Sequence, residues 1–184
     1  MTSRSAVLLM DLQTDFLAPE GAKMPVAAND AECIVATANQ VFGGTLLDSA
    51  LRVVVVNRFP RSARIANFFR RHAAVDGSTG AELDRRLQPK GVAKIIAKAA
   101  PSAFSNPELD ALLKSAYVAH IYIFGVFAEG CVRSTALDAL RRGYAVTVPV
   151  DAIGTNADWK RAFALWSMRR AGVALVPTLP GRAA

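Results

Sequence analysis

The chain has 184 residues, a length that fits one domain with a core large enough to need no disulfide or metal staple. Hydrophobic residues make up 52% and charged residues 20%, which excludes an intrinsically disordered chain. The two cysteines, Cys33 and Cys131, belong to no C-x-x-C pair, which argues against a disulfide framework or a cysteine zinc site and suits a reducing compartment. The net charge of +7 falls mostly at the spacing of solvated helix faces, without the module or aromatic interleaving of a nucleic-acid binder.

The first predicted element is an apolar run over 7–10 that ends at Asp11. A helix over 31–50 follows, with Ile34, Val35, Ala38, Val41 and Phe42 on its apolar face. The β-branched run 51–57 is the second strand, and the stretch 60–89 reads as a helix or two plus loops. A third strand over 92–98 ends at Lys98, and a helix over 107–116 carries Leu109, Leu112 and Leu113. The fourth strand, 121–126, is apolar throughout, and Cys131 opens a helix over 131–142 that Gly143 closes. A fifth strand (144–150), a helix (159–171) with Phe163, Trp166 and Met168 on its apolar side, and a sixth strand (173–176) complete the chain.

Short runs without polar alternation indicate strands buried on both faces, and their alternation with helices indicates right-handed crossovers. The expected fold is a single α/β domain over 1–184: a doubly wound, six-stranded parallel sheet with helices on both faces. The longest apolar runs are too short to span a bilayer. No h-region with a cleavage site precedes the first strand. A cytoplasmic protein with neither membrane nor nucleic-acid partners is therefore expected.

In such sheets ligands bind beyond the carboxyl ends of the strands. Asp11 closes the first strand, Lys98 closes the third, and Cys131 lies just past the fourth. Taken singly, each has an ordinary role: a turn aspartate, a solvated lysine, a small buried cysteine. Together they place an acid, a base and a thiol at one sheet edge. A free thiol has a pKa near 8.5 and needs activation to act as a nucleophile. The N-terminus of the 131–142 helix and Lys98 are the expected sources of positive charge, with Asp11 as proton acceptor.

These residues stand in motifs that resemble the isochorismatase-like cysteine hydrolases. Asp11-Leu12-Gln13-Thr14-Asp15-Phe16 resembles their D-x-Q-x-D-F signature, and 77–83 resembles G-T-x-G-A-E-L. Lys98 followed by Ser102-Ala103-Phe104 resembles K-x-x-x-S-A-F, and 125–132 resembles G-V-x-T-D-x-C-V. The resemblance covers residues 6 to about 177. It implies Asp11 as general base, Lys98 as its charged partner and Cys131 as nucleophile. It further implies a cis peptide between Val126 and Phe127, with the backbone N–H groups of Phe127 and Cys131 as an oxyanion hole. Phe16 and Phe104, inside the motifs, are expected to line the pocket. Arg58, directly after the second strand, is the expected carboxylate clamp among the arginines of 58–71.

The chain also departs from the family. Metal-binding members carry D-x-H after the second strand, where this chain has Asn57-Arg58-Phe59. His72 lies near a second family histidine, and His120 precedes a strand on the other side of the sheet. No metal and no cofactor are therefore expected. Ala128 and Glu129 replace the usual threonine and aspartate, and Glu129 is expected to pair with Arg133 or a neighbouring arginine. The resulting expectation is a metal-independent hydrolase cleaving a C–N bond of a small amide, ureido or carbamoyl compound through a thioacyl enzyme. Vinyl-ether hydrolysis, a catalytically silent binding protein of the same fold, and a peroxide-reactive thiol are the alternatives. A homo-oligomer, dimer or tetramer, is expected from the resemblance alone.

Overall fold

The computed structural model describes residues 4–181. Its elements are β1 (Arg4–Met10), α1 (Thr14–Leu17), α2 (Ala28–Phe42), β2 (Leu51–Asn57), α3 (Arg64–Phe69), β3 (Val92–Lys98), α4 (Pro107–Ser115), β4 (Val118–Val126), α5 (Arg133–Arg141), β5 (Ala145–Pro149), β6 (Ile153–Gly154), α6 (Asp158–Ala171) and β7 (Ala174–Val176). The sheet runs β3-β2-β1-β4-β5-β7, with the short β6 added to β4 beyond the end of β5. All pairings are parallel. The doubly wound parallel sheet is thus as expected, with β6 as one strand more.

Alternate residues of the central strands supply two cores. Leu8, Met10, Val53, Val55, Ile121 and Ile123 pack on one face with residues from α4, α5 and α6. Val7, Leu9, Val54, Val56 and Phe124 pack on the other face with Phe16 of α1 and Ile34, Ala38 and Val41 of α2. This period-two division, within strands that contain almost no polar residue, is what a sheet covered on both faces requires.

Two expectations about burial are corrected. The third strand is the sheet edge, and only Ile96 and Lys98 of β3 are buried. In α6, Ala164 and Met168 face inward, whereas Phe163 and Trp166 are 45% and 59% exposed. No described helix is long and apolar enough to cross a membrane.

Strand order reverses at β1, which has β2 on one side and β4 on the other. The crevice at such a reversal is where this class of sheet binds ligands. Asp11, Asn57 and Lys98 end β1, β2 and β3, and the Cys131 loop follows β4.

Candidate active site

Asp11 leaves β1 in the left-handed region, at φ 56°. Its N–H still donates to Val55 O at 2.8 Å, and its carbonyl accepts from Gln13 N–H at 2.8 Å. The turn thereby stays tied to β2 while the carboxylate turns into the sheet end, where it is wholly buried. Gln13 fastens three segments. Its Nε2 donates to Asn57 O at 2.8 Å and to Ala81 O at 2.7 Å, and its Oε1 accepts from Asn57 N–H at 2.8 Å.

Lys98, register partner of Asn57 across β2 and β3, reaches across the end of β2 toward β1. Its Nζ donates to Asn57 Oδ1 at 2.6 Å and to Asp11 Oδ2 at 3.0 Å, and lies 3.2 Å from Cys131 Sγ. These contacts fill the three donor positions of an ammonium group. Asn57 Nδ2 lies 4.0 Å from the same sulfur. Asp11 Oδ1 is buried without a hydrogen-bond partner among the described residues.

Cys131 does not open a helix. It sits inside a π-helical turn over Ala128–Val132, and α5 begins at Arg133. Lys98 acts on the thiol in the expected direction, toward the thiolate, and is outweighed. Burial, reinforced by the Asp11 charge, pushes the thiol up to about 12, with Lys98 opposing. Burial raises the Asp11 carboxyl as well, against the pull of Lys98. For Lys98, burial acts downward, but the Asp11 charge and the hydrogen bonds to Asp11 and the sulfur hold the ammonium above the usual lysine range. The Cys131 thiol thus lies beside a buried Asp11–Lys98 pair.

The sulfur opens into a cavity of about 190 Å³. That is close to the ~150 Å³ that admits a benzene-sized molecule. Phe16, Phe59, Phe127, Ala100 and Pro101 form much of its wall, and Phe16 and Phe127 meet edge to face at 5.5 Å. The Val126–Phe127 peptide is cis. Phe127 O accepts from the N–H groups of Gly130 and Val132, which folds the turn around the cysteine.

Phe16 thus lies where it was expected, whereas two other expected pocket residues do not line the cavity. Arg58 pairs with Asp76 at 3.1 Å and Glu82 at 3.6 Å, because an exposed guanidinium at the strand end meets the carboxylates of the following loop. Phe104 is a core residue stacked on Tyr144. The Ser102-Ala103-Phe104 segment is structural, with Ala103 N–H donating to Thr135 Oγ1 of α5 at 3.0 Å. Glu129 pairs with Lys160 at 3.5 Å, and Arg133 donates to its backbone carbonyl instead of its carboxylate.

Sequence reasoning met Asn57 only as the residue at the family's metal-motif position and Arg70 only as one of the arginines of 58–71, with Arg58 preferred. Asn57, which ends a β-branched run with an amide, is a signal that could have been read. Arg70 lines the cavity with its guanidinium 4.0 Å above the Phe59 ring, and nothing in the spacing separates it from its neighbouring arginines.

The residues after β2 do not fit a divalent metal. Asn57 Oδ1 is occupied by Lys98, and Phe59 offers no ligand atom. His72 lines a larger, more open hollow beside α3 instead of the cysteine cavity. No group of three or more His, Cys, Asp or Glu side chains among the described residues is arranged to hold an ion.

Fold and site together define a parallel α/β protein with a buried acid–lysine–thiol cluster at the sheet reversal. The Isochorismatase domain model matches residues 5–178, and the chain belongs to that family. The isochorismatase family protein YaaI of Bacillus subtilis (strain 168) is 36% identical over 93 residues, covering 50% of this chain and 51% of that relative. The match spans about half the length of that curated relative. Among solved structures, PnC1 from L. infantum in complex with nicotinate superposes with a TM-score of 0.84 at 25% identity, covering 95% of this chain and 92% of that one. The pyrazinamidase of Pyrococcus horikoshii in complex with zinc gives a TM-score of 0.82 at 29% identity, covering 94% and 98%.

Proposed function

We propose that the protein is a metal-independent cysteine hydrolase that cleaves a C–N bond of a small amide, ureido or carbamoyl compound. One observation carries this reading. Lys98 Nζ lies 3.0 Å from Asp11 Oδ2 and 3.2 Å from Cys131 Sγ, at the inner end of a cavity sized for a small molecule. The likeness to a pyrazinamidase supports amide chemistry.

In this scheme Asp11 takes the thiol proton as sulfur attacks the carbonyl carbon. Proton transfer coupled to attack suits a thiol that burial keeps neutral at rest, since a free thiolate need never accumulate. Lys98 stabilises the charge that moves between sulfur and carboxylate. The backbone N–H groups of Phe127 and Cys131 receive the oxyanion. The C–N bond then breaks, and the departing nitrogen takes the proton held by Asp11, leaving a thioacyl enzyme. Water attacks the thioester, Asp11 accepts its proton, and the proton returns to sulfur as the acid leaves.

The test is ammonia or amine release from a panel of small amides, ureas and carbamoyl acids. Acid-quenched protein is weighed by mass spectrometry in parallel. At least one compound is expected to turn over with an acyl adduct on Cys131. Cys131→Ser is expected to fall by about a thousandfold or more, as for other covalent nucleophiles. Full turnover by Cys131→Ser would overturn the scheme. Cleavage of a vinyl ether by Cys131→Ala would assign the alternative chemistry.

A further inference from the structure

We infer that Arg70 is the specificity-determining residue of the Cys131 cavity and that the substrate carries a carboxylate beside its scissile amide. The inference rests on the amide-hydrolase reading for the bond that breaks, and on geometry alone for the anion.

Among the described residues Arg70 is the only charged side chain on the cavity wall. Lys98 lies deeper, and its charge is matched by Asp11 at 3.0 Å, so the pair leaves no net charge for a ligand. Arg70 has no such match. Its guanidinium carbon lies over the Phe59 ring, 4.0 Å from the centroid, and no carboxylate pairs with it among the described residues. Other arginines of the same segment are spent: Arg58 on Asp76 and Glu82, Arg61 on the carbonyls of Asp76 and Gly77. A cation held in place by an aromatic ring, facing an otherwise apolar hollow, has its five donors arranged for an incoming anion.

The chemistry of the anion follows from the count of charges. One guanidinium matches one carboxylate through two parallel hydrogen bonds. A phosphate dianion would leave a charge uncompensated among apolar walls. The volume of about 190 Å³ also limits the ligand to a few bonds between carboxylate and amide. Short dicarboxylic mono-amides and N-carbamoyl or ureido acids of similar length are the class that fits.

The experiment measures protection of Cys131 from iodoacetamide in Cys33→Ser protein. The probes are malonamate, succinamate and glutaramate, each against its neutral diamide. At least one carboxylate is expected to protect at a concentration about tenfold or more below that of its diamide, the scale of one charge-assisted contact. Arg70→Met is expected to abolish this difference, with each protein's protection read against its own alkylation rate without ligand, and Arg70→Lys to retain part of it. No preference for the carboxylate at any chain length, or a preference that survives in Arg70→Met, overturns the inference. Hydrolysis of the amides without charge preference would overturn it and leave the amide-hydrolase reading standing. Carboxylate protection without hydrolysis of any amide would do the reverse.

Discussion

At the scale of single residues, the site is governed by the cost of burying charge. Asp11 and Lys98 are almost wholly buried, and such ions persist only when paired and hydrogen-bonded. Cys131 borders that pair, and the near carboxylate works against a second negative charge on sulfur. The sign of the pH dependence follows. A thiol raised to about 12 reacts through a thiolate fraction that climbs about tenfold per pH unit below that value. Alkylation of Cys131 is therefore expected to rise through pH 9–11 without the plateau of an ordinary thiol. Asp11→Asn removes the opposing charge while Lys98 remains, so alkylation at pH 8 is expected to speed up while amide hydrolysis falls. Parallel loss of both would show that the Asp11 charge is not what keeps the sulfur protonated.

These residues differ in how plainly the sequence announced them. Asp11, Lys98 and Cys131 could be read because each is a reactive group at or just past the end of an apolar run. The thiol's environment could not, since its burial comes from segments far apart in the chain. Arg58 and Arg70 show the same limit. Both lie in one arginine-rich stretch, and only the fold sends Arg58 out to Asp76 and Arg70 in toward Phe59.

At the scale of elements, the join between β1 and β4 sets the position of the cysteine. Gly125 pairs with Met10 and has φ 122°. A Cβ there would lie 2.1 Å from Met10 O, an obstacle in the backbone of the central strand. Gly80 presents a milder case: its Cβ would lie 2.0 Å from Asp15 Oδ2, the oxygen that accepts from Ala74 N–H. Overpacking costs about 1–3 kcal/mol, and an unfavourable backbone region adds about 1–3 kcal/mol more. Urea denaturation is expected to show Gly80→Ala losing about 1–3 kcal/mol and Gly125→Ala losing more. The reverse order would mean that β1 and β4 can shift apart more easily than the Asp15 turn can give. Most helices and strands were legible from apolar spacing. β6 was not, because two residues, Ile153 and Gly154, carry no period, and their pairing depends on β4. The outward aromatics of α6 were misread because period alone does not say which side of a helix meets the sheet.

At the scale of the whole molecule, the basic surface and the active cavity are separate matters. Several arginines are engaged with carboxylates away from the cavity, such as Arg86 with Asp84 and Glu32 and Arg161 with Asp30. The cavity itself is nearly apolar. A reading based on net charge alone would look for a polyanion, whereas the interior geometry calls for one small monoanion.

Lys98 belongs to an edge strand. Among the described strands β3 pairs with β2 alone, and most of its residues are exposed. A strand held on one side opens more readily than the strands it borders, so its amide protons meet solvent in local fluctuations that leave the rest folded. Each such opening withdraws the ammonium from Asp11 and the sulfur together. The chemical unit is thus less durable than the sheet that carries it. Amides of β3 are expected to exchange faster than those of β1 and β4, and hydrolysis to fail at urea concentrations where the far-ultraviolet circular dichroism is still native. A single coincident transition for both signals would show instead that the edge and the centre of the sheet open as one.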